Sequence, residues 1–332
     1  LPPKGDIAVI RALKIVNNPG GNQHQTCTED TRVHLLNEIR TWANDQATNQ
    51  KILWIADRAG TGKSTVAKQI VTEWERMAKP VVPFFFSISA ADTMSDTKFC
   101  STIAAKLADL DGFGPFRATL ADTLRQKVTI ETLGFKEQFE KLIIGPLQTT
   151  KEPVLLVIDA LDECNERSRS ELLSTLLGSL DKIPMIKVMI TSRPLPDINQ
   201  KFQNQQTVYS CNLQGRGPDS TAQDILLHLA YIFSNSNKLR HLQHHVQRVG
   251  NLANGLFIWA STAGKFLEKS LDPDGALAAI ESMVGLHDLY TRIMECVIPE
   301  NDPHSRETVR FILQTILAAQ RPLSVSEMQT LL

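Results

Sequence analysis

Gly62, Lys63 and Ser64 end a stretch, WIADRAGTGKST (54–65), that nearly completes the phosphate-binding pattern G-x-x-x-x-G-K-[ST]. Such a loop aims backbone N–H groups at phosphate oxygens, at the positive end of a following helix. Gly60 and Gly62 allow close backbone approach, Lys63 neutralises β- and γ-phosphates, and Ser64 offers its hydroxyl to Mg²⁺. Ala59, Thr61 and Thr65 complete the expected nucleotide-binding stretch. The first glycine of the pattern falls at position 57, where the chain has Asp57. Asp tolerates a left-handed backbone better than most side chains, so geometry alone leaves the loop usable. A carboxylate ~8–10 Å from a phosphate, at an effective dielectric of ~20, opposes each phosphate charge by roughly 2 kcal/mol. The expectation is a working but weakened site, which Asp57→Gly tightens by up to about tenfold.

Two further groups carry chemistry. PVLLVIDALDEC is an apolar run ending in Asp159, a carboxylate suited to holding Mg²⁺ directly or through water. Asp162 and Glu163 follow it, and either one is a candidate base for polarising an attacking water. KVMITSRP ends in Thr191, Ser192 and Arg193, with Arg193 a candidate contact to a γ-phosphate. The stretch HLQHH groups His241, His244 and His245, but no carboxylate or cysteine lies near in sequence, so a solvated helix face is expected.

These residues need a sheet edge to meet. ILWI, VPFFFSI, PVLLVID, IKVMITSRP and TVYSCNL read as five strands, with Pro83 at the start of the second. Helical stretches such as STVAKQIVTEWERMA alternate with them, which predicts a parallel α/β sheet with helices on both faces. After residue 215 the periodicity is helical throughout. The expected division is a linker and pre-domain helix (1–50), a nucleotide-binding α/β domain (51–214) and a helical region, which the resemblance named below divides into a lid (215–302) and the start of a winged helix (303–332).

Composition narrows the function classes. The 35 Lys and Arg against 36 Asp and Glu give a net charge of −1, so no bulk attraction to nucleic acid or anionic membrane is expected. The greasiest runs are strand-sized, too short to span a bilayer. Five scattered cysteines without a C-x-x-C pair predict a reducing, cytoplasmic setting without structural zinc. NKLR at 237 lacks the aspartate of a guanine motif, and no L-S-G-G-Q signature is present.

The three elements in this order resemble a NACHT-type P-loop NTPase of the STAND class, and most closely fungal NOD-like receptor (NLR-like) proteins. CTEDTR, ILWIADRAGTGKSTVA, FFFS, QFEKLIIGPL, VIDALDEC, ITSRP, ANGLFIWA and LYTRIM carry the resemblance, with Ala160 in the family's form of the acidic motif. It implies a P-loop NTPase sheet, then a helical lid against the nucleotide, then a winged helix beginning near residue 306. It implies that Thr31 and Arg32, matching the family's Thr-Arg pair, lie near the base. Mg²⁺ with ATP or GTP, slow hydrolysis, self-association in the triphosphate state and signalling partners outside this stretch follow as expectations. A non-hydrolysing nucleotide-binding scaffold and a P-loop phosphotransferase are the alternatives.

Overall fold

Strands that are apolar along their whole length need cover on both faces, and that requirement shapes the first of two contact units, residues 1–26, 34–58 and 63–213. The computed structural model describes residues 4–16, 21, 23–87, 98–126, 130–213, 218–283, 285–297, 303–319, 323 and 325–331. Helices α1 (Lys4–Arg11) and α2 (Val33–Asn44) precede β1 (Ile52–Ala56), α3 (Lys63–Arg76) and β2 (Val81–Phe85). Then come α4 (Phe99–Asp109), α5 (Gly114–Arg125) and α6 (Phe135–Phe139), which runs through a π-helical turn (Glu140–Ile144) into α7 (Gly145–Leu147). The unit ends with β3 (Val154–Asp159), α8 (Glu166–Leu177), β4 (Ile186–Ser192), α9 (Pro196–Phe202) and β5 (Val208–Cys211).

The strands form one parallel sheet in the order β2-β3-β4-β1-β5. Every residue of β3 and β4 is buried, as a doubly covered sheet demands. The register pairs Ala56 with Ser192 and Phe85 with Asp159, so the carboxyl ends of four strands share one edge. Ligands of open α/β sheets bind outside that edge.

Three local expectations need correction. Pro83 sits in the middle of β2, paired with Val157, rather than at its start. It is tolerated because β2 is the edge strand and its missing N–H leaves no gap in the sheet. The opening residues are more than a linker, since α1 buries Ile10 and its Asp6 pairs with Arg125 of α5. Helices α5 and α9 were also not anticipated, being short and each opened by a proline in its first turn.

Lys187 of β4 is almost wholly buried. Its ammonium donates to the carbonyls of Trp42 and Asp45 at the end of α2 and lies over the Trp42 ring. Burial, with Lys51 nearby, pulls its pKa down to about 8. Between about pH 8 and the ordinary lysine range the unfolded chain holds a proton that the folded chain has released. Stability from this site therefore rises with pH through that window. Urea unfolding at pH 7.5 and 9.5 is expected to show a gain for wild type that Lys187→Met lacks.

The second unit comprises residues 27–33, 59–62 and 214–332. Its helices are α10 (Pro218–Asn235), α11 (Val246–Leu252), α12 (Phe257–Lys269), α13 (Pro273–Glu281), α14 (Leu286–Val297), α15 (Pro303–Ala318) and α16 (Val325–Leu331). No strand occurs among its described residues. Ile225, Leu229 and Phe233 of α10 pack with Trp259, Ala263 and Leu267 of α12 in a separate core. Their spacing is the three-to-four-residue repeat that gives a helix one apolar face. No helix among the described residues is long and apolar enough to cross a membrane.

Candidate functional site

The stretch between β1 and α3 is a sharp turn, and Gly60 and Gly62 both have positive φ, +79° and +95°. A side chain at Gly62 would meet no atom, so its glycine is required by backbone conformation alone. Lys63 opens α3, and its ammonium donates to the carbonyls of Asp57 and Arg58, each at 2.7 Å. Burial pulls the Lys63 pKa down, while Asp162, Asp57 and Asp159 pull it back up. This one cation thus serves three carboxylates.

Asp57 is not a bystander in the turn. It is 7% exposed, and its backbone is not left-handed. Oδ1 accepts from the Arg58 amide at 2.7 Å, and Oδ2 accepts from the Leu213 amide at 3.1 Å. Its own N–H donates to Ser192 O at 3.3 Å. The carboxylate ties the start of the loop to the chain leaving β5, which replaces the picture of an unsatisfied charge aimed at phosphate.

Asp159 ends β3 fully buried. The Thr191 hydroxyl donates to Oδ1 and accepts from the Ala160 amide at 3.0 Å, so one side chain fixes both the carboxylate and the turn after it. Burial raises the Asp159 pKa; Thr191, Ser64 and His24 favour the charged form, and Glu163 opposes it. Oδ2 has no hydrogen-bond partner. A buried acceptor without a donor is costly, and a cation is what it lacks. The Ser64 hydroxyl and Asp159 therefore fit a hard, oxygen-liking ion such as Mg²⁺.

After Asp159 the chain turns through Ala160 in the left-handed region, φ +53° and ψ +45°. A small side chain suffers least there, though the conformation is strained for any residue but glycine. The turn carries Asp162 to Arg193, whose N–H and Nε donate to the two carboxylate oxygens at 2.9 and 2.6 Å. Asp162 is thereby committed to orienting Arg193. Arg169 braces the same turn from α8, bonding Cys164 O at 2.6 Å and Asp197 at 2.7 Å. Glu163 remains half-buried beside Asp159.

Within the second unit, Thr31 donates to Thr28 O, and Arg32 is 6% exposed. The guanidinium donates to Thr61 O and to the Thr221 hydroxyl, each at 3.1 Å, and lies 4.9 Å over the Phe257 ring. Its Nε is 3.7 Å from Asp224. Gly60 O accepts from the Ile258 amide at 3.1 Å, and a Cβ on Gly60 would come within 2.3 Å of Ile258. Arg32 thus holds the loop's own backbone. Ala59 is exposed, and Thr65 is half-buried in the first turn of α3.

Several of these partners had no sequence signal. Leu213 acts through its backbone, and Thr221 and Asp224 are ordinary helix residues until Arg32 is placed beside them. His241 and His245 do find carboxylates, Asp274 and Glu281, but from α13 and one each. No group of three metal-ligating side chains occurs among the described residues.

Comparisons with known proteins bear on the family and the fold. Residues 30–193 match the family described as Nephrocystin 3, N-terminal. The chain is 25% identical over 327 residues to the vegetative incompatibility protein HET-E-1 of Podospora anserina. That alignment covers 91% of this chain but 23% of the relative, so the chain spans about a quarter of that protein. The Walker-type ATPase paby2304 of Pyrococcus abyssi superposes with a TM-score of 0.50 at 12% identity, covering 94% of this chain and 91% of that one. The last likeness concerns fold alone. The chain is similar to NACHT-related, NLR-like proteins and is built on the α/β P-loop NTPase fold.

Proposed function

We propose that this chain is the nucleotide-dependent switch of a cytoplasmic NLR-like signalling protein. It binds Mg-NTP, hydrolyses it slowly, and uses the difference between triphosphate and diphosphate to control conformation and self-association. The observation that carries the reading is the buried, unpartnered Oδ2 of Asp159 at the sheet edge where Ser64 also favours the charged carboxylate. The HET-E-1 likeness supports a setting in non-self recognition or programmed cell death.

The residues divide the work. Lys63 and the loop amides hold phosphate oxygens, and Ser64 with Asp159 hold Mg²⁺. Bound Mg²⁺ would supply positive charge to the phosphate oxygens as negative charge builds on them. Glu163 accepts the proton of the attacking water, and Asp162 holds Arg193. Arg193 reports the terminal phosphate. A population shift between two states needs only that the two nucleotides differ in affinity for them.

Calorimetry with Mg-ATP and Mg-GTP, followed by single-turnover hydrolysis, tests this. Glu163→Gln is expected to keep affinity within about threefold and slow turnover at least about 100-fold, within the range ascribed to a positioned base. Asp162→Asn is expected to blunt discrimination between triphosphate and diphosphate, because it loosens Arg193. If Asp162→Asn stops turnover and Glu163→Gln does not, the base is Asp162. Binding without turnover in wild type marks the scaffold alternative, and transfer to an acceptor marks the phosphotransferase.

A further inference from the structure

His24 lies in the stretch before α2, with no catalytic signature around it. Its amide donates to Gly21 O at 3.0 Å, closing a tight turn. Gly21 has φ +61°, and a Cβ there would come within 2.5 Å of the Phe85 ring. The turn is moulded to that ring, and the His24 imidazole stacks on it, centroids 5.5 Å apart and planes 28° apart.

Phe85 is the register partner of Asp159 in parallel strands. Partners directly across a sheet point to the same face, with side chains roughly 5 Å apart. Asp159 is bonded on its β4 side by Thr191, so Phe85 with His24 above it flanks the other side of the carboxylate. Among the described residues the His24 ring makes one hydrogen bond, an exposed 3.5 Å contact with Gln23.

We propose that His24 is a specificity-determining residue of the nucleotide site. Its ring N–H donates to the terminal phosphate of a bound nucleoside triphosphate, so that triphosphate affinity depends on the stacking of His24 on Phe85. The inference rests on the nucleotide-binding reading above. The stacked imidazole presents a donor beside the metal-holding carboxylate, where a terminal phosphate is expected and a diphosphate has no corresponding oxygen. Donation by a neutral imidazole suffices, so no titration is required.

The test is calorimetric affinity of the 332-residue chain for the Mg²⁺ complexes of β,γ-imido-ATP, β,γ-imido-GTP, ADP and GDP. His24→Ala is expected to weaken the imido-triphosphate about tenfold and the diphosphate less than twofold. His24→Asn, which keeps a donor, is expected to recover most of the difference. Gly21→Ala, which crowds the Phe85 ring and so shifts the imidazole stacked on it without changing residue 24, is expected to lose selectivity in the same direction and decides the matter if His24→Ala does not fold. Equal loss for both nucleotides, or no loss in any variant, overturns the proposal. Wild type that binds none of the four overturns the nucleotide-binding reading itself.

Discussion

Lys63→Ala is expected to weaken triphosphate binding at least about 100-fold, near 2.7 kcal/mol. The argument is one of uncompensated charge. The Lys63 ammonium lies among Asp57, Asp159 and Asp162, and all three act on it. Removing it takes away the main cation offered to the polyphosphate. A charge-assisted hydrogen bond is roughly twice as strong as a neutral one, so the loop amides alone do not replace it. Lys63→Met keeps much of the side-chain volume and should behave like Lys63→Ala, separating charge from packing. Calorimetry in Mg²⁺ buffer checks both. Unchanged affinity in either variant would remove the phosphate-loop assignment.

The strands and the site had unequal visibility in the sequence, for a physical reason. PVLLVID and IKVMITS are continuously apolar because β3 and β4 lie in the middle of a covered sheet, and such runs announce themselves. Helix α1 did not, since its buried Ile10 and its Asp6–Arg125 pair depend on a partner more than a hundred residues away. The site divides in the same way. Lys63, Ser64 and Asp159 are readable because their work is local, one residue type at one position after one strand. Arg32 and Asp162 needed the fold. Both were named in the sequence, but their partners were not: Arg32 donates to Thr61 O, and Asp162 accepts from Arg193. A spacing pattern records which residue types recur and says nothing about which neighbour a carboxylate chooses. Asp57 shows this most plainly, because the same carboxylate supports opposite predictions before and after Leu213 is placed.

Asp57→Gly is therefore expected to destabilise the chain by about 3 kcal/mol and to weaken nucleotide binding rather than tighten it. Two backbone amides donate to the carboxylate, those of Arg58 and Leu213, in a setting where Asp57 is 7% exposed. The long-range hydrogen bond from Leu213 to this charged acceptor is worth about 1.5–3 kcal/mol, and glycine adds roughly 0.5–1 kcal/mol of backbone entropy to be lost on folding. Against this, relief of repulsion toward phosphate is small, because both oxygens are already satisfied and Lys63 lies close by. For a unit of this size the melting temperature should fall by roughly 6–12 °C. Affinity for Mg-nucleotide should drop by about three- to tenfold, since the loop loses its tie to the chain leaving β5. Asp57→Asn separates the two accounts. It removes the charge but keeps one acceptor oxygen, so a structural clasp predicts an intermediate loss of stability, whereas a charge penalty predicts tighter binding for Asn and Gly alike. Thermal melts and calorimetry on the pair decide it, and tighter binding by both variants at an unchanged melting temperature would return Asp57 to the role of a misplaced charge.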